Sequence, residues 1–397
     1  MKTENFKTQT EVIEKKLPRV NGNNQYKTKT VVALDGGYSS VKGVSPNKVF
    51  KFPSYAKKAP AGLEVIGKAH KFDLLYRNND TGETWVVGRT AETLMDQSDI
   101  ESTTDASLYT RYRYDSDVFK VIMSTGLALG LIGTGETDEI FLQTGLPATY
   151  KDRDSDKLKK ALAGHYNISL KVGNNPWANF NFDLPVNNIG VMEQPQGTLC
   201  ATVYHNGEPT EEGKKILQSK GTIILDIGFG TEDIFSIRSG YKNNHQTYSD
   251  TGMKSVFEMV TKRLKQDADA DIKIFELQSY LESGIVSYFN PDTFSTEELD
   301  FSQMVYDAND ELCEKSIRRL MQDYNNLSGY EYLIVTGGTG QSRFGKIQSM
   351  LSGLKTLKVY PGNFNNPELS FSYSNVYGYY MFRHAQIMAE YKISQKG

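Results

Sequence analysis

Thr222-Ile223-Ile224-Leu225-Asp226-Ile227-Gly228-Phe229-Gly230-Thr231-Glu232-Asp233-Ile234 is the stretch that decides the fold. A β-branched apolar run ends in Asp-x-Gly-x-Gly-Thr, and a second strand-like run continues to Ile237. This reads as strand, tight glycine turn, strand. Glycines strip side chains from such a turn, so its backbone N–H groups can close on a phosphate. An aspartate at the strand's end can hold Mg²⁺ through water. The same design stands earlier, in Thr30-Val31-Val32-Ala33-Leu34-Asp35-Gly36-Gly37-Tyr38-Ser39-Ser40-Val41-Lys42-Gly43. Two such hairpins, one near the start and one past the middle, predict a duplicated nucleotide clamp.

Outward from these hairpins the chain alternates strands and helices. Lys48 to Phe52 continues the first meander, and Phe72 to Val87 carries a hairpin signal for a small inserted subdomain. Asp117 to Ile132 reads as an amphipathic helix opened by acidic residues, and Glu139 to Leu146 as a buried strand stopped by Pro147. Asn188 to Glu193 is a strand that empties into Gln194-Pro195-Gln196-Gly197 and a helix. After the second hairpin come helices over 254–266, 272–281 and 303–324, a strand over 332–336, a helix over 342–351, and a last helix over 376–391. Residues 1–28 read as a flexible N-terminal extension, and residues 96–114 and 290–300 as polar loops. The expected organisation is α/β: two domains, 29–219 plus 376–397 and 220–375, each a mixed sheet flanked by helices, around a nucleotide cleft.

A phosphate tail needs dense N–H donors and positive charge. Gly36, Gly37, Tyr38 and the hydroxyls of Ser39 and Ser40 offer donors from the first half, with Lys42 as a point charge for the β- or γ-phosphate. Gly228, Phe229, Gly230 and Thr231 offer them from the second. Asp35 and Asp226 are the expected Mg²⁺ holders, since this ion keeps several waters and takes few carboxylates. Gly337-Gly338-Thr339-Gly340 follows a buried strand and precedes a helix, so a base or ribose can lie against its backbone. It is not a dinucleotide fingerprint, because Arg343 stands where the last glycine of G-x-G-x-x-G would. Gly62 to Lys68 has the G-x-x-x-x-G-K spacing, but Ala69 replaces the Ser or Thr. Phosphoryl transfer to water needs an orienting group, and a glutamine can serve. Gln194 and Gln196 are candidates, with Glu193 a third.

Composition narrows the class. The chain has 397 residues, 38% of them hydrophobic and 23% charged, with a net charge of −3, which fits a globular protein and gives no electrostatic reason for direct DNA binding. Two cysteines, Cys200 and Cys313, make no disulfide framework or zinc spacing. The longest apolar segment, Val118 to Ile132, is interrupted by Lys120, Ser124 and Thr125 and is too short to span a bilayer. A cytoplasmic location is expected.

With these residues assembled, the sequence resembles the actin/Hsp70/sugar-kinase ATPase superfamily, and within it the ParM-type plasmid-segregation actins. Leu34 to Lys42 is similar to the family's first phosphate loop, Leu225 to Thr231 to its second, and Val335 to Gly340 to its adenosine loop. Gly252 is similar to its ribose-contacting turn, and Pro195-Gln196 lies where it places the water-positioning Gln or Glu, with Gln194 and Glu193 close by. The resemblance implies an actin-like fold, binding of ATP/ADP (or GTP) with Mg²⁺, and ATP hydrolysis coupled to head-to-tail polymerisation. It further implies a DNA-bound adaptor of the ParR type; residues 1–28 are too polar for an amphipathic membrane anchor, so no membrane partner is expected. A small-molecule (sugar or carboxylate) kinase on the same fold is the alternative.

Overall fold

The computed structural model of the chain describes residues 2–20, 27–60, 62–63, 68–95 and 113–394. The chain divides into two compact units, one of residues 8–215 and 363–397, the other of residues 1–7 and 216–362. The sequence reading puts these divisions a few residues later at the first boundary and thirteen later at the second.

In the first unit, strand Lys29–Gly36 is the centre of a six-stranded mixed sheet. It pairs antiparallel with Ser40–Ser45 and parallel with Glu139–Leu146. Alternation along it sorts the core. Val32 and Leu34 face one side, under helix Asp117–Leu131, whereas Val31 and Ala33 face the other, under the C-terminal helix Ser374–Ser394. A second sheet of five strands contains the hairpin expected in the inserted subdomain, Leu74–Asn78 with Thr84–Val87.

The C-terminal helix also crosses helix Gln194–Val203 at backbone distance. A Cβ on Gly378 would stand 1.7 Å from the Gly197 carbonyl oxygen, and one on Gly197 would stand 2.4 Å from that of Asn375. Thr198 Oγ1 donates to Asn375 Oδ1 across the same crossing at 2.7 Å. Only glycine lets the two helices approach this closely.

In the second unit, Thr222–Ile227 lies within a five-stranded mixed sheet, antiparallel to Glu232–Arg238 and parallel to Tyr332–Thr336. Ile223, Leu225 and Ile227 pack with Cys313, Ile317 and Leu320 of helix Ser302–Asp323 and with Ile347 and Leu351 of helix Gly338–Leu351. A second cluster forms around helix Met253–Ala268.

Two sequence expectations are corrected. Residues 1–28 are not a loose extension over their described part. Thr3–Phe6 form a short 3-10 turn; Thr3 Oγ1 donates to the Leu281 carbonyl at 2.7 Å, and the Phe6 ring packs edge-on to Tyr306. In the other unit Glu11–Glu14 pairs antiparallel with Lys48–Lys51, and Leu17 and Val20 are buried. Its two flanking glutamates are what an edge strand tolerates, and they hid the two apolar residues between them. Residues 290–300 are likewise not a loop: Ile285–Asn290 and Ser295–Asp300 form a hairpin. Its exposed second strand is rich in Ser, Thr and Glu, so burial left no apolar alternation to read. The loop expected at 96–114 lies outside the described residues up to 112, and Gly62 to Lys68 lies mostly outside them. Among the described residues no helix is long and apolar enough to cross a membrane.

Candidate nucleotide-binding site

In the first unit the hairpin register sets Asp35 opposite Lys42. Lys42 Nζ lies 3.3 Å from Asp35 Oδ2, and the carboxylate is almost wholly buried. From the far side of the sheet order, Gln194 Nε2 donates to Asp35 Oδ1 at 3.0 Å. Asp35 is thus held at both oxygens, by a cation and by an amide. Gln196 does something else. It is the third residue of the helix capped by Glu193, and its Oε1 accepts from the Glu193 N–H at 3.3 Å. That is the reciprocal half of a capping box, with Pro195 in the first turn as helix starts favour. The structure therefore brings Gln194 to Asp35 and turns Gln196 back on its own helix.

The loop between the strands runs through Gly37, Tyr38 and Ser39. Ser54 Oγ donates to the Gly37 carbonyl at 2.9 Å and the Ser54 N–H to the Ser39 carbonyl at 3.1 Å. Ser40 is buried at the start of the second strand. Arg113, which the sequence reading left inside a loop, donates to the carbonyls of both Gly36 and Gly37. No local pattern announces it, because its partners lie 76 and 77 residues away.

In the second unit, the loop that follows Asp226 meets the turn at Gly252, and the loop at Gly337 lies beside the Asp226 carboxylate. The Gly228 N–H donates to the Thr231 carbonyl at 2.8 Å, closing the turn. The Thr231 hydroxyl donates to Asp233 Oδ2 at 2.9 Å. Those two donors, expected to face a phosphate, are spent inside the loop. The Gly228 and Phe229 carbonyls accept from the N–H groups of Met253 and Lys254, so this loop caps the helix that Gly252 opens. Thr339 Oγ1 donates to the Gly228 carbonyl at 2.8 Å, joining the third loop. Gly337 sits at φ +84°, and a Cβ there would lie 2.2 Å from the Ile227 carbonyl oxygen and 2.6 Å from Asp226 Oδ1. The site needs glycine at 337 both for the backbone angle and for room beside the aspartate. The next residue, Gly338, faces open space and begins a helix.

Arg343 proves structural to this half. It is buried, its Nε donates to Asn309 Oδ1 at 2.9 Å, and its Nη1 donates to the Thr251 carbonyl at 2.7 Å. It ties the helix after the third loop to the turn at Gly252. Glu232, next to Thr231, is fully buried; burial holds its carboxyl above the usual range, against the opposing pull of Thr251, Ser316 and Arg343.

These features suit a Mg²⁺-nucleotide. Each unit offers one buried aspartate at a strand end beside a glycine turn. No group of three His, Cys, Asp or Glu side chains that could hold a metal is found among the described residues.

Comparison with known proteins agrees with this architecture. Residues 33–197 match the family of actin-like proteins, N-terminal domain. A search of curated proteins finds no match. Among solved structures, the chain is similar to a 15-stranded ParM filament from Clostridium botulinum, at TM-score 0.69 and 18% identity, covering 89% of this chain and 99% of that one. It is also similar to the apo psk41 ParM protein, at TM-score 0.60 and 18% identity, over 91% and 98% of the two chains. Ta0583, an archaeal actin homolog solved in complex with ADP, matches at TM-score 0.60 and 14% identity, over 88% and 97%. Hairpins, glycine loops, family match and structural neighbours converge on one conclusion: the chain has the actin-like fold, of the kind seen in ParM proteins.

Proposed function

We propose that this chain is a nucleotide-dependent, filament-forming actin-like ATPase that segregates plasmid DNA, with hydrolysis of ATP (or GTP) controlling assembly and disassembly. The observation that carries the reading is Asp35, buried and held between Lys42 and Gln194. An aspartate so placed can meet a hydrated cation, a lysine can meet a terminal phosphate, and a glutamine can orient water. The neighbouring structures support the rest: one is a filament, and another holds ADP.

When bound, Mg²⁺ neutralises charge on the phosphate oxygens. Asp35 and Asp226 would hold its waters. Lys42 would exchange Asp35 for a phosphate oxygen, and Gln194 would hold the attacking water through its side-chain amide. The loops at Gly36–Ser40, Phe229–Gly230, Gly252 and Gly337–Thr339 would supply backbone contacts to phosphate, ribose and base. Loss of the terminal phosphate removes contacts that stabilise one conformation, which is how such a site switches an assembly. The self-partner would be a head-to-tail copy, since heterologous contacts that do not close make helical filaments. The DNA contact would fall to an adaptor of the ParR type in the cytoplasm, in keeping with the net charge of −3.

The test is light scattering and pelleting of the purified chain with ATP and Mg²⁺, checked by electron microscopy. Nucleotide-dependent polymer is expected, and Asp226→Ala should abolish phosphate release while the fold is kept. Absence of polymer with every nucleotide, together with phosphorylation of a sugar or carboxylate, would instead establish the kinase.

A further inference from the structure

We propose that Arg113 is a positioning residue that sets the amide directions of the Gly36–Tyr38 loop for the phosphates of a nucleotide. This inference rests on the nucleotide reading above and adds a residue to it. In a trans peptide the C=O and the following N–H point in opposite directions. The chain has no cis peptide among its described residues. Arg113 Nη2 donates to the Gly36 carbonyl and Nη1 to the Gly37 carbonyl, the latter at 3.0 Å. The N–H groups of Gly37 and Tyr38 therefore point away from the guanidinium, on the other side of the loop. Successive N–H groups presented on one side form an anion-binding concavity.

The arginine is itself fixed. Its guanidinium stacks on the Tyr38 ring at 4.4 Å and lies 5.3 Å from the Phe119 ring. Its backbone carbonyl accepts from Ser116 Oγ at 2.7 Å, and Ser116 caps helix Asp117–Leu131. The chain thus connects a rigid helix start to two glycine peptides at the end of a strand, where Ser54 also donates to the Gly37 carbonyl and Arg113 adds the hold on Gly36. A guanidinium fork is needed because two adjacent carbonyls must be held at once; a lysine reaches one. The positive charge adds long-range attraction for the phosphates without standing in their place.

The experiment compares the wild-type chain with Arg113→Ala and Arg113→Lys. Binding of a ribose-labelled non-hydrolysable ATP analogue and of labelled AMP is followed by fluorescence, and melting temperature is recorded without nucleotide. Arg113→Ala should weaken the triphosphate analogue at least tenfold and AMP less than twofold, with Arg113→Lys between. Ethylguanidinium at millimolar concentration should restore much of the triphosphate binding to Arg113→Ala, while NaCl at equal ionic strength should not. Equal triphosphate affinity in Arg113→Ala and wild type overturns the inference. So does a loss shared equally by AMP, which would make the arginine merely structural. Should Arg113→Ala not fold, Arg113→Lys decides by the same ratio. A wild-type chain that binds no nucleotide refutes the nucleotide reading first, and this inference with it.

Discussion

Replacing Gly378 by alanine should destabilise the unit that holds Asp35, although alanine is the better helix former. In a helix interior that exchange alone favours alanine by about 1 kcal/mol. At this crossing the new methyl would stand 1.7 Å from the Gly197 carbonyl oxygen, 2.5 Å from its carbon and 3.0 Å from the Ala201 nitrogen. All three are backbone atoms of the facing helix, so no side-chain rotation relieves the overlap. The helices must part by roughly an ångström, at the upper end of the ~1–3 kcal/mol that overpacking costs. The net loss is about 2 kcal/mol, or roughly 4–8 °C in melting temperature for a unit of this size. Differential scanning calorimetry reads it directly. Gly345→Ala is the control, because a Cβ there meets nothing within 4 Å in a helix of the other unit. It should be neutral or slightly stabilising. A Gly378→Ala chain that melts at or above the wild-type temperature would show that the two helices are not in backbone contact. The first turn of the facing helix carries Gln194, so phosphate release should fall together with stability.

Gln194→Ala should slow phosphate release roughly 10²-fold, whereas Gln196→Ala should lose a helix cap worth about 1 kcal/mol and keep its rate. The opposite outcome in a single-turnover assay would reassign the water-orienting role. Asp250 supplies a pH test. Its carboxyl is held well below the usual carboxylate range by hydrogen bonds from Arg319, with Lys315 assisting. A lowered folded value means its contribution is full above the unfolded value of about 4 and fades as pH falls below it. Asp250→Asn should therefore be less stable than wild type at pH 7, by less than about 1 kcal/mol because the site is half exposed. In urea titrations the gap should close toward pH 2; a gap independent of pH would show that the pair contributes nothing through charge.

Much of this was legible in the sequence because it is written locally. Asp35 and Lys42 are seven residues apart on a hairpin, and the Asp-Gly-Gly turn fixes their pairing. Asp226 with its two glycines, and the glycine run from Gly337 to Gly340 between a strand and a helix, announce themselves in the same way. The choice between Gln194 and Gln196 was not read: the resemblance pointed to Gln196, and the capping box with Glu193 that commits Gln196 to the helix start shows only once the helix boundary is known. Arg113 was not legible either, because backbone carbonyls distant in sequence leave no mark on residue choice. Nor was Arg343 read as a brace, since its partners Thr251 and Asn309 belong to other elements. The strand Glu11–Glu14 escaped because charged edges look like solvent-exposed coil until their partner strand is known.

The helix Ser374–Ser394 covers one face of a sheet whose central strand begins at Lys29. A ribosome makes the helix long after the strand, at ~5–20 residues per second. Residues 216–362 can collapse on their own while Val31, Ala33 and Val49 still wait for Val376, Tyr377 and Tyr380. For roughly ten seconds or more the nascent sheet stands with that side bare. Long-range closure of this kind slows folding and invites aggregation, so the earlier half of the chain should engage chaperones during translation until its tyrosine-rich lid arrives.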